Sequence, residues 1–277
     1  MAEQLYTLKE EQELNEKLQA LFDEWKSYLE DQDSTSQYIK EGLFIRDGFY
    51  PSYTQQKGCK VLFIGRECRS LGEKDYSVNN YIDILFDAYR GNEINEKSVE
   101  SYNFHRRLFC FAWALKYYAL SGSLPEWENI PSINPDESTL LKDFGTDKLS
   151  FAFMNFSKFS NNDENYEANI DLMEAFSQAT MLNSTKNFYT EEITLLDPDV
   201  IITMNLERDW LSRLGNIVES SSKDPNVTAF KMDFNGKVVP VFDCYHFSAI
   251  KSNIEGYYDP FRKAYLEYQG KTRNSNE

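Results

Sequence analysis

A chain of 277 residues, 41% hydrophobic and 15% aromatic, carries enough apolar material for one large core. No run approaches the roughly 18 consecutive apolar residues of a membrane helix, and the opening MAEQLYTLKE lacks the basic and apolar regions of a signal peptide, so a cytoplasmic location without membrane contact is expected. The net charge of −16 counts against tight non-specific DNA binding, yet residues 1–40 carry −6 of it and residues 161–199 carry −8, which leaves the rest nearly neutral.

In chain order, Leu14, Leu18, Leu21, Phe22, Trp25, Tyr28 and Leu29 recur at helical spacing with acids between them. This predicts a long amphipathic helix within an N-terminal extension, residues 1–40, packed on the body and ended by DQDSTSQ. Its acidic face offers a surface to a protein partner. Four short runs follow, rich in β-branched and aromatic residues: KVLFIG (60–65), LSFAFMN (149–155), DVIITM (199–204) and KVVPVFD (237–243). Helical stretches such as YIDILFDAYR, NFHRRLFCFAWALKYYAL, NYEANIDLMEAFSQATML and LERDWLSRL lie between them. Strands alternating with helices predict a three-layer α/β/α domain over residues 41–270, with a central, mainly parallel four-stranded sheet. The polar stretch from Ser220 to Asn226 reads as a surface loop, and 271–277 as a disordered tail.

Four cysteines without Cys-x-x-Cys spacing, and only two histidines, give a structural zinc site little to draw on, so neither metal nor disulfide is expected. Ligands of open parallel sheets bind outside the carboxyl ends of the strands. The residues after each apolar run therefore matter most. They are Gly65, Arg66, Glu67, Cys68 and Arg69, then Asn155 with Lys158, then Asn205, and finally His246, Ser248 and Lys251. Each has a plainer reading: Gly65 as a strand exit, Glu67 as an ion-pair partner, Asn155 as a cap, His246 as a packing residue. His105, beside Arg106 and Arg107, reads as part of a solvated helix face.

The order of these residues is more specific than any one of them. A Gly-x-acid segment after the first strand, Asn with a trailing Lys after a central one, a strand introduced by Asp-Pro-Asp, and a late His-x-Ser together resemble the uracil-DNA glycosylase superfamily over residues 43–268. The family's Gly-x-x-Pro-Gly or Gly-Gln-Asp-Pro-Tyr turn stands here as Gly65-Arg66-Glu67-Cys68, and its His-Pro-Ser as His246-Phe247-Ser248. The resemblance implies that Gly65 and Asn155 meet a base, that Glu67 stabilises the sugar cation or orients water, and that His246 helps the departing base. It also implies contacts of Ser248 with DNA backbone. Arg66, Arg69, Lys158 and Lys251 are the cations placed to meet phosphate. No cofactor is required, because cleavage of an N-glycosidic bond needs only negative charge near the sugar and donors near the base carbonyl.

The expected function is thus hydrolysis of the N-glycosidic bond of a flipped or single-stranded damaged base, uracil or a relative, with single-stranded or damaged duplex DNA as partner. Proline is replaced in both turns, by Cys68 and Phe247, which leaves a non-catalytic module for a nucleobase, nucleotide or protein as one alternative. A hydrolase using a Cys68 thiolate activated by His246 is the other.

Overall fold

The computed structural model describes residues 5–69, 80–133, 140–163, 167–182 and 184–274. The strands are β1 (Gly48–Phe49), β2 (Val61–Arg69), β3 (Glu93–Ile94), β4 (Lys97–Ser98), β5 (Ala152–Asn161), β6 (Val200–Met204), β7 (Asn216–Asp224), β8 (Val227–Phe234) and β9 (Lys237–Cys244). The helices are α1 (Lys9–Glu30), α2 (Ser36–Lys40), α3 (Asn80–Gly91), α4 (Asn103–Ser121), α5 (Leu140–Asp143), α6 (Ile170–Met181), α7 (Phe188–Leu196), α8 (Glu207–Leu214) and α9 (Asp259–Asn274). None of the described helices is long and apolar enough to cross a membrane.

A seven-stranded sheet in the order β1-β5-β2-β6-β9-β8-β7 replaces the expected four strands. The four expected runs are its centre, β5, β2, β6 and β9, and they are mutually parallel. The additions are antiparallel: β1 beside β5, and the β7–β8 hairpin beside β9. Ser220 to Asp224 accordingly lie in a strand and not in a surface loop. As the outermost strand β7 pairs on one side only, so its sequence needs neither a continuous apolar run nor an alternating one. The expected tail begins inside α9, which continues to Asn274, while residues 275–277 fall outside the described residues.

Helices cover both faces. Phe22 and Trp25 of α1, Phe176 of α6, Tyr189 of α7 and Leu211 of α8 form one apolar layer with Leu62 and Ile64 of β2. Phe86, Phe109, Phe111 and Phe261, from α3, α4 and α9, form the other with Phe63. Trp25 shows how firmly the N-terminal helix belongs to the body: its ring stacks on Phe188 at 5.3 Å and its indole N–H donates to Thr180 Oγ1 at 3.0 Å.

Both strands meant to end at the site run further than expected. Gly65 pairs with Asn155 and Glu67 with Ser157, so Gly65 to Arg69 and Asn155 to Lys158 lie within β2 and β5 and not in turns. The continuation carries Lys158 away from any phosphate, since Met154, Phe156 and Lys158 alternate onto the α1 side of β5. There the ammonium is completely buried, donating to Asp47 at 2.8 and 3.0 Å and to Glu192 at 3.0 Å. Burial raises the Glu192 carboxyl well above its ordinary range, while Asp47 and Glu192 together hold Lys158 charged despite its burial.

Removing one member of such a group strands the others. Lys158→Met is expected to cost about 3–5 kcal/mol, read as a lower urea midpoint at pH 7. A midpoint unchanged at pH 7 would contradict this role.

Candidate functional site

The crossover from β2 through α3 and α4 leads to β5 on one side, whereas the path from β5 through α6 and α7 leads to β6 on the other. The carboxyl ends of β2 and β6 therefore flank the topological switch point, and open α/β sheets take their ligands in the crevice expected there. Arg66 spans it, donating through Nε and Nη2 to the Asn205 carbonyl at 3.2 and 3.0 Å. Asn205 and Glu207 both have left-handed backbones, at φ 60° and 61°, a conformation that costs of order 1–3 kcal/mol in a residue other than glycine. Asp243 holds this turn by accepting from Thr203 Oγ1 at 2.6 Å and from the N–H groups of Leu206 and Glu207 at 3.0 and 3.1 Å.

Beside Arg66 the requirement for glycine at position 65 is one of space. A Cβ there would lie 3.0 Å from both Asn155 Oδ1 and Phe153 Cζ. Asn155 is 3% exposed, and its backbone N–H donates to Asp47 at 2.5 Å. Its side-chain amide has no hydrogen-bond partner among the described residues. Phe153 stacks with Tyr81 at 5.6 Å and meets Phe104 edge-on at 5.9 Å, and Phe104 in turn stacks on His246 at 5.8 Å. A continuous aromatic wall thus joins Asn155 to His246.

The imidazole of His246 is pushed down to about 4, chiefly by burial and then by the Arg66 charge. It is neutral near pH 7. The Ser248 backbone N–H approaches Nδ1 at 3.4 Å and the Ser248 hydroxyl lies 2.7 Å from it, which assigns the ring hydrogen to Nε2.

Arg107 orders the segment that carries His246. Its guanidinium is completely buried, lies 3.8 Å from the Tyr257 ring centre, and donates to the carbonyls of Phe247, Ala249 and Lys251 and to Asn253 Oδ1. The expected solvated face around His105 is therefore wrong. His105 packs among Tyr89, Tyr102 and Phe104, its Nδ1 lies 2.8 Å from the Tyr89 hydroxyl, and burial takes its pKa to about 4. The signal for Arg107 was its phase, in register with Phe111, Ala114 and Leu115 on the buried face of α4.

Other expected residues turn elsewhere. Glu67 accepts from Asn161 Nδ2 and from the Asn169 N–H, each at 3.2 Å, at the start of α6. Burial raises its pKa, and no hydrogen bond or ring contact joins it to Asn155 or His246 among the described residues. Arg69 donates to the carbonyls of Glu167 and Asp163 at 2.7 and 3.0 Å. Cys68 packs against Ile45 and Tyr81, and burial pushes its thiol up to about 12, the opposite of what a thiolate nucleophile needs. Ser248 and Lys251 are exposed on the loop after β9, where Ile250 stands 97% exposed between them.

No protein-family model, curated protein or solved structure matches this chain.

The native His246 ring is expected to titrate with a midpoint near 4 by NMR, and Arg66→Gln should raise it. Because that value lies below the ordinary 6.5, the unfolded chain binds the proton first. The corresponding stability is complete above about 6.5 and is lost as pH falls toward 4. A native midpoint near 6.5 would contradict the assignment.

Proposed function

We propose that the crevice between β2 and β6 binds a nucleobase, and that the protein hydrolyses the N-glycosidic bond of uracil or a related base in single-stranded or damaged DNA, in the manner of the uracil-DNA glycosylase superfamily. The observation that carries this reading is the Asn155 side chain: 3% exposed overall, without a hydrogen-bond partner among the described residues, packed against Gly65 and bordered by the Phe153 ring. A base edge with one donor and one acceptor matches the donor and acceptor of such an amide.

In the proposed reaction the C1′–N bond breaks and its electron pair leaves with the base. The His246 Nε2–H donates to the base carbonyl oxygen where that charge collects, as a neutral donor and not a cation. Water gives its hydroxyl to C1′, and its proton is released. Glu67, two residues beyond Gly65, supplies negative charge to the sugar cation. Ile250, Ser248 and Lys251 form the rim that meets the strand. An apolar side chain so exposed suits a wedge between stacked bases, and base extrusion needs such a wedge. Phe247, standing where the family has proline, packs on Phe63, Phe111 and Tyr257, so contacts beneath the loop replace the stiffness of the proline ring.

One observation favours a second reading, in which the site binds bases without turnover: the Glu67 carboxylate is engaged by Asn161 and Asn169.

On single-stranded DNA containing uracil, slow release of the base and an abasic product are expected. His246→Ala should lower the rate on the order of 10²-fold, as for one lost electrostatic donor. Glu67→Gln should slow release while sparing binding, and Asn155→Asp should weaken base selection. Tight base binding with no release at enzyme excess would establish the second reading. Full activity of Asn155→Leu would remove the site.

A further inference from the structure

A cavity of about 870 Å³, inside the range of roughly 300–1,000 Å³ typical of small-ligand pockets, lies between the segment that leads into α1, the loop at Pro51 and Ser52, α3, and the stretch from Leu141 to Thr146. It shares no lining residue with the crevice. One wall is aromatic: the Phe144 ring centre lies 5.7 Å from that of Phe86 and 5.5 Å from that of Tyr89, and Leu5, Pro51 and Leu141 extend the apolar lining.

The charged residues of the lining are unevenly engaged. Glu11, 1% exposed, accepts from the backbone N–H groups of Ser52 and Thr54 at 3.1 and 3.2 Å. Arg90 and Lys142 are exposed, on long side chains that keep their charge in water. Asp83 and Asp87, one turn apart on α3, have neither a hydrogen bond nor an ion pair among the described residues. Like charges at that spacing repel. Burial and then the Asp87 charge push the Asp83 carboxyl up to about 6. Asp83 Oδ1 and Asn92 Oδ1, both from residues of the lining, are buried without a partner, so the wall is short of donors and not of acceptors.

We propose that this cavity binds an organic ammonium ion, an amine carried on an apolar body, with Asp83 and Asp87 receiving the ammonium and the Phe86, Tyr89 and Phe144 rings covering the body. The proposal does not rest on the nucleobase reading of the crevice.

An ammonium brings three donors and no acceptor, which is what the α3 wall lacks. Its charge also answers the repulsion between the two carboxylates, which a neutral ligand leaves in place and an anion increases. Ring faces attract a cation as well as an apolar chain, and the Arg90 guanidinium already lies 5.8 Å from the Phe86 ring centre. The cavity therefore offers both halves of such a ligand a matching surface, apolar walls with a few convergent polar groups.

The test titrates the whole protein with phenethylamine and hexylamine, and with their uncharged counterparts phenylethanol and hexanol, following the backbone amide signal of Gly145 by NMR. At least one amine should shift this signal saturably and bind about tenfold more tightly than its alcohol, within the worth of one charge-assisted hydrogen bond. Asp83→Asn, which keeps the shape of the side chain, should abolish that advantage and leave the alcohol's affinity unchanged; Asp87→Asn serves the same comparison should the first variant not fold. Thr7→Trp, a substitution at an exposed position of the lining, should weaken amine and alcohol alike. Equal affinity of amine and alcohol, an advantage that survives in both asparagine variants, or no saturable shift with either amine at millimolar concentration would overturn the proposal.

Discussion

Gly65 and Asn155 are register partners in adjacent parallel strands, and the volume a side chain would fill at position 65 is closed by the Asn155 amide and the Phe153 ring. That single steric relation orders much of the carboxyl edge. The same Phe153 ring reaches Phe104 and, through it, His246. A larger residue at 65 would displace the amide and the Phe153 ring together, so the Asn155 amide and the His246 imidazole are not independent features of the fold.

The cations nearest this edge are used inside the protein as much as on its surface. Lys158 is enclosed with Asp47 and Glu192 behind β5, and the same Asp47 accepts from the Asn155 backbone. Arg107 ties together the carbonyls of Phe247, Ala249 and Lys251 in the loop after β9. Arg66 fixes a left-handed turn whose backbone is unfavourable in isolation. Buried charge here serves to hold backbone in place, which explains how an edge with several basic residues can belong to a protein of net charge −16.

The parallel centre was legible because its strands are short apolar runs punctuated by helices, a pattern that hydrophobic periodicity reports directly. The polar continuation of β2 and β5 was not. Arg66, Glu67, Ser157 and Lys158 look like turn residues in a linear sequence, and only pairing across the sheet makes them strand. The outer hairpin was hidden for a related reason, since β7 needs no apolar alternation to pair with β8. Asn155 and His246 could be picked out from their positions after apolar runs. Arg107, whose charge argues for solvent, was visible only through its phase on α4.

Strand order also bears on how the chain reaches this state. Leu62 pairs with Ala152 and Val61 with Val200, so both neighbours of β2 are supplied by segments about 90 and 139 residues further along the chain. Closing such loops costs conformational entropy before any sheet contact compensates it. The β8–β9 hairpin, joined by the short turn at Asn235 and Gly236, carries no such burden. The buried residues Val61 to Ile64 at the start of β2 therefore wait, during synthesis, for partners supplied much later in the chain.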